Sequence, residues 1–142
     1  AEEVDWIFFG MCPEKLRPYV KEFHIGVPIH IYPQKLASLD LDLAIAPLEN
    51  NQFNDCKSNL RLLEYGACGY PVICSNSRAF TESGLPVEII KNRYKDWIDS
   101  IREHISETNH LPQRGVQLKE QIINQWMLEK ESLKNWQSKW LN

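Results

Sequence analysis

Short apolar runs alternate with stretches of helical period along most of this chain. Trp6-Ile7-Phe8-Phe9 is apolar and aromatic and stops at Gly10, the pattern of a strand covered on both faces in a parallel sheet. Pro13 suits the first turn of a helix, which the spacing extends to about Phe23. Val27 to Ile31 reads as a second strand, Pro33 to Leu39 as a short helix, and Leu43 to Ala46 as a third strand closed by Pro47. A polar loop, Glu49 to Asp55, then leads into a helix from about Cys56 to Cys68, ended by Gly69 and Pro71. Val72 to Ser75 and Val87 to Ile90 are the fourth and fifth strands. Beyond residue 92 the period is helical throughout, over Asp96 to Ile105, Val116 to Trp126 and Leu128 to Leu141.

Strands alternating with helices on short links predict an α/β fold, a Rossmann-like doubly wound parallel sheet of about five strands with C-terminal helices. The 142 residues are one domain's worth of chain, and the whole of 1–142 is read as a single domain. It begins with Ala and enters an apolar strand by residue 6, so the expectation is one domain cut from a larger protein. A net charge of −3 gives no global positive field to recruit nucleic acid or an anionic membrane. No apolar run approaches the roughly 18–20 residues of a transmembrane segment, and the acidic start has no signal-peptide n-region. Cys12, Cys56, Cys68 and Cys74 form no C-x-x-C pair and read as reduced thiols of a cytoplasmic protein.

In such sheets ligands sit at the carboxyl ends of the strands, near helix N-termini. Two loops qualify, Gly10-Met11-Cys12 and the longer one over 47–56. On a helix running from Cys56, Lys57, Arg61 and Glu64 fall within roughly 60° of arc, with Asn59, Leu62, Leu63, Gly66 and Ala67 turned to the sheet. Lys57 and the Ser58 hydroxyl near the helix start suit a diphosphate. Glu64, roughly 10 Å further along, suits the two hydroxyls of a ribose, because a carboxylate only accepts. From spacing alone, a solvated face with an Arg61–Glu64 pair is the readier reading of the same three charges.

Glu64-Tyr65-Gly66-Ala67-Cys68-Gly69-Tyr70-Pro71-Val72-Ile73-Cys74-Ser75, with Lys57-Ser58 ahead of it, resembles the donor-site signature of GT-B glycosyltransferases. Asp42 to Leu48 and Phe53-Asn54 narrow the resemblance to bacterial members of the group 1 type. It implies the C-terminal, donor-binding half of a two-domain, metal-independent and retaining enzyme without a cofactor. The partners implied are a UDP-, GDP- or ADP-linked sugar and an N-terminal domain that holds the acceptor. Lys57 would neutralise the diphosphate leaving group as the catalytic residue. Gly10, Asn54, Ser58, Asn59 and Glu64 would bind the substrate, Glu64 at the ribose. This chain has Cys56 where many members carry the first of two glutamates, and Met11 where many carry a basic residue. Those departures favour the alternative, a non-catalytic nucleotide- or protein-binding α/β module.

Other residues have plainer readings. His24, His30, His104 and His110 have no metal spacing and are expected on the surface or in loops. Phe53-Asn54 is either a packing aromatic followed by a helix N-cap or a wall of the donor pocket. Arg78 is a solvated loop arginine or a phosphate ligand. Trp126, Leu133, Trp136 and Trp140 form an apolar stripe that packs in the core or docks a partner domain.

Overall fold

The computed structural model describes residues 3–106, 108–129, 133–135 and 137–138. It is mixed α/β, and the chain divides into two compact units, Ala1–Asp40 and Leu41–Asn142. The expectation of one sheet of about five strands is corrected: the strands form one parallel sheet of two and another of three.

In the first unit β1 (Ile7–Gly10) pairs in parallel with β2 (Glu22–Ile25), Ile7 opposite Glu22 and Gly10 opposite Ile25. The residues of β1 are half-buried or exposed, not covered on both faces. A 3-10 helix over Glu14–Tyr19 joins the two strands. The helix expected to reach Phe23 stops there because Pro18 lacks an N–H and Val20 is extended. Glu22-Phe23-His24-Ile25 alternates polar and apolar, the period of a strand, and the helical reading had overrun it. The strand expected at Val27 to Ile31 does not form. Pro28 breaks the ladder, and its carbonyl accepts from the N–H groups of Ile31 and Tyr32, which starts α1 (Tyr32–Ala37). Phe9 stacks on Tyr32 at 5.3 Å between centroids, Arg17 lies over Phe23, and Cys12 and Leu36 are buried.

The second unit holds β3 (Ala44–Ala46), β4 (Val72–Ser75) and β5 (Glu88–Ile90), all parallel, in the order β3-β4-β5. All four residues of β4 are buried, as a central strand with both faces covered requires. Parallel neighbours need crossovers. α2 (Gln52–Asp55) and α3 (Leu60–Ala67) lead from β3 to β4, and α4 (Arg78–Thr81) leads from β4 to β5. α5 (Tyr94–Ser106) and α6 (Leu111–Gln125) follow.

α6 begins five residues before the expected Val116. Pro112 fits its first turn, and Leu111, Gly115, Leu118 and Ile122 make its buried face at spacings of four, three and four. That face lies close on α3. A Cβ added to Gly66 would stand 2.3 Å from Ile122 Cδ1, and one added to Gly115 would stand 1.9 Å from the carbonyl oxygen of Gly69. Gly69 ends α3 with φ +83°, a backbone region that glycine enters without strain.

His104, expected at the surface, is buried in α5. Its Nδ1 faces the Ser100 carbonyl at 2.8 Å and must carry the proton; Nε2 then accepts from Arg114 Nη1 at 2.7 Å. This links α5 to α6. His30 and His110 are exposed as expected, and half-buried His24 lies 2.9 Å from Glu22. Trp126 and Leu133 are exposed, so the apolar stripe is not core where it is described. Its Trp136 and Trp140, and the end of the helix expected from Leu128 to Leu141, lie outside the described residues.

Candidate functional site

The carboxyl edge of the three-stranded sheet is tied together by a serine and three asparagines. Buried Ser75, the last residue of β4, accepts from the Leu48 N–H at 2.8 Å and donates to Asn92 Oδ1 at 2.7 Å. Asn92 Nδ2 donates to the Leu48 carbonyl and, at 2.9 Å, to Asn50 Oδ1. Trp97 Nε1 donates to Asn92 Oδ1, and Asn50 Nδ2 donates to Asn76 Oδ1 at 3.3 Å. The loops after β3, β4 and β5 are thereby cross-linked at the edge where open parallel sheets receive ligands. A lone Ser or Asn in a sequence does not reveal such a network. The usable signal was position: Ser75, Asn76 and Asn92 stand at or just after strand ends.

The loop after β3 also positions the expected site. Asn51 caps α2: its side-chain oxygen accepts from the Asn54 N–H at 2.9 Å. Asn54, expected to be the cap or a substrate ligand, is instead buried, and its Nδ2 donates to the Glu49 carbonyl at 2.8 Å. Phe53 is exposed, not packed, and Lys57 Nζ lies 5.1 Å from its ring centroid.

The helix expected from Cys56 is corrected as well. α2 ends at Asp55, the chain is irregular through Asn59, and α3 starts at Leu60. Asn51, Asn54, Ser58 and Asn59 are residues whose side chains compete for backbone groups, which favours a short capped helix within the expected loop and a later start for the next one. Lys57 and Ser58 therefore precede the helix, and the helical arc joining Lys57 to Arg61 and Glu64 does not exist. Both are exposed just ahead of the α3 N-terminus. Ser58 Oγ accepts from the Leu60 N–H at 3.4 Å.

Asn59 occupies the N-cap position of α3 without a side-chain cap bond. It is buried, and its Nδ2 has no hydrogen-bond partner. Leu62 and Gly66 are buried as expected, while Ala67 is exposed. Glu64 is half-buried one helical turn beyond Arg61, whose Nη1 lies 3.2 Å from its carboxylate. A carboxylate has about four acceptor sites and can take more than one hydrogen bond at once. Tyr65 beside it has its phenol pushed up, first by burial and then by the Glu64 charge, against the lowering effect of Arg61.

Lys57, Ser58, Asn59 and Glu64 thus lie along one loop and the helix that follows it, whereas Gly10 belongs to the first unit. Gly10 is exposed with φ +94° and has no atom within 4 Å of where a Cβ would stand. Arg78 is exposed and paired with Glu82 at 2.8 Å. A cavity of about 210 Å³ opens at the opposite, amino-terminal edge of the sheet, lined by Pro71, Val87, Glu88, His104, Arg114 and Gln117. The claim of the carboxyl edge as the site rests on topology and side-chain chemistry.

All four cysteines are free; Cys12 and Cys74 are buried and Cys56 is exposed. Burial, helped by Glu88, pushes the Cys74 thiol up to about 12. Among the described residues no three His, Cys, Asp or Glu side chains are grouped as a metal site requires. None of the described helices is long and apolar enough to cross a membrane. Compared with protein-family models, with curated proteins and with solved structures, the chain matches none.

Proposed function

We propose that this chain is the donor-binding half of a cytoplasmic glycosyltransferase, holding a nucleoside diphosphate sugar for transfer to an acceptor bound by an N-terminal domain. One observation carries the reading: beyond the carboxyl end of a strand in a parallel sheet, an exposed lysine, the N-terminus of a helix and a half-buried carboxylate follow one another along the chain. In transfer, the bond from the anomeric carbon to the diphosphate oxygen breaks and a bond to the acceptor oxygen forms, while the acceptor hydroxyl gives up its proton. Negative charge grows on the departing diphosphate. Lys57 and the positive end of the α3 dipole offset that charge, with the Ser58 hydroxyl as a further donor. Glu64 accepts from the ribose hydroxyls and stays oriented by Arg61.

Calorimetric titration with UDP, GDP and ADP tests the function. Saturable binding of one of the three, weakened at least tenfold by Lys57→Ala and by Glu64→Ala, supports it. Binding that neither substitution alters would refute it. Cys56, where many family members carry a glutamate, favours a second reading, a module that binds nucleotide without transfer. Release of free sugar or transfer from the nucleotide sugar by the protein joined to its acceptor domain separates the two.

A further inference from the structure

α2 inverts the ordinary distribution of polar and apolar residues. It buries Asn54, at 7% relative exposure, and leaves Phe53 at 75%. Exposed single hydrophobics are common on proteins; a phenylalanine turned out beside an asparagine turned in is the informative case. The inversion is held in place. Asn54 Nδ2 is spent on the Glu49 carbonyl and its N–H on the Asn51 side chain. Neighbouring residues of a helix point about 100° apart, so pinning Asn54 inward keeps Phe53 outward. Lys57 Nζ stands 5.1 Å from the Phe53 centroid. A flat apolar face and an exposed cation are therefore side by side in the loop region beyond the carboxyl end of β3.

This pair fits a ligand in which a ring with an apolar face is joined directly to an anion. A nucleoside diphosphate sugar has two rings at its ends, the base beyond the ribose and the sugar beyond the diphosphate. The chain order Phe53, Lys57, Glu64 decides between them. With Lys57 on the diphosphate and Glu64 on the ribose, Phe53 comes next to the diphosphate ligand in chain order, four residues before Lys57 and eleven before Glu64. We propose that Phe53 is the platform on which the C–H face of the transferred sugar ring rests, with Lys57 leaving the aromatic face for the diphosphate when the donor binds. The proposal rests on the donor-site reading above and adds the contact that distinguishes the sugar nucleotide from its parent diphosphate.

The test is calorimetric titration of the chain with UDP, GDP and ADP and with UDP-glucose, GDP-mannose and ADP-glucose, on wild type, Phe53→Leu and Phe53→Trp. Phe53 is exposed, so both variants should keep the wild-type thermal midpoint. Phe53→Leu should lower affinity for the sugar nucleotide about tenfold, leave its parent diphosphate within about twofold, and be rescued by Phe53→Trp. Equal losses for both ligands would place the ring elsewhere on the donor and overturn the proposal, as would no loss for either. A wild type that binds the diphosphate but does not distinguish any sugar nucleotide from it also overturns the platform while leaving the donor site standing. Binding of none of the six ligands would remove the donor reading itself.

Discussion

Replacing Gly115 by alanine tests the contact that holds the site helix in place. The added methyl would stand 1.9 Å from the Gly69 carbonyl oxygen, 3.0 Å from the Gly69 carbonyl carbon and 3.2 Å from Pro71 Cδ. Two of these three obstacles are backbone, so no rotamer change relieves the clash. α6 must back away by about 1 Å, and its neighbours Leu118 and Ile122 lose their fit against α3. Overpacking of this kind costs up to about 3 kcal/mol. Alanine regains about 1 kcal/mol of that through its better helix propensity. The expected net loss is about 2 kcal/mol, which for a chain of this length lowers the thermal midpoint by about 7 °C. Gly66→Ala is the matched comparison. Its obstacles are the ends of the Ile122 and Leu118 side chains, and Ile122→Val, which removes the nearest atom, should restore part of its loss. Gly26→Ala serves as the control, with nothing within 4 Å and no positive φ. Thermal and urea unfolding followed by circular dichroism read all of these. A Gly115→Ala protein as stable as the wild type would refute the close approach of α6 to the end of α3.

Asn92→Ala should destabilise the second unit by about 1–3 kcal/mol, since it strands the buried Ser75 hydroxyl and the Leu48 carbonyl; urea unfolding measures it, and Asn92→Asp should recover only part. Exposed Cys56 should react with a thiol reagent at pH 8 while Cys74, pushed up to about 12 by burial, stays unmodified until the chain unfolds; mass spectrometry of timed samples counts the adducts, and early labelling of Cys74 would contradict its burial. The Asp96 carboxyl is held below its ordinary value by its hydrogen bond from Arg93. Because the folded value is depressed, the stability it contributes is present above the unfolded carboxylate value and is lost as pH falls through the folded one. An NMR titration should find Asp96 low in the wild type and ordinary in Arg93→Gln.

The elements legible in the sequence were those whose cause is local. Val72-Ile73-Cys74 is an apolar run between Pro71 and Ser75, and Val72–Ser75 is the strand expected there, buried along its length. Gly69 stops α3 because its φ of +83° suits a glycine, and the amphipathic period of α5 needs no distant partner to be seen.

What the tertiary structure decided were choices between competing local preferences. Pro18 and Pro28 together moved β2 upstream, because a strand needs a partner and β1 offered one to Glu22–Ile25. Asn51 capped a short helix inside the expected loop, and the next helix began only at Leu60, which took Lys57 off the helix face and turned Phe53 outward. Ser75, Asn50 and Asn92 meet only because three parallel strands end side by side, residues 27 and 42 apart in sequence becoming hydrogen-bonded neighbours. Period and turn chemistry act over a few residues and are written in the chain. Burial and hydrogen-bond partners depend on what folding brings alongside, and only the folded chain supplies them.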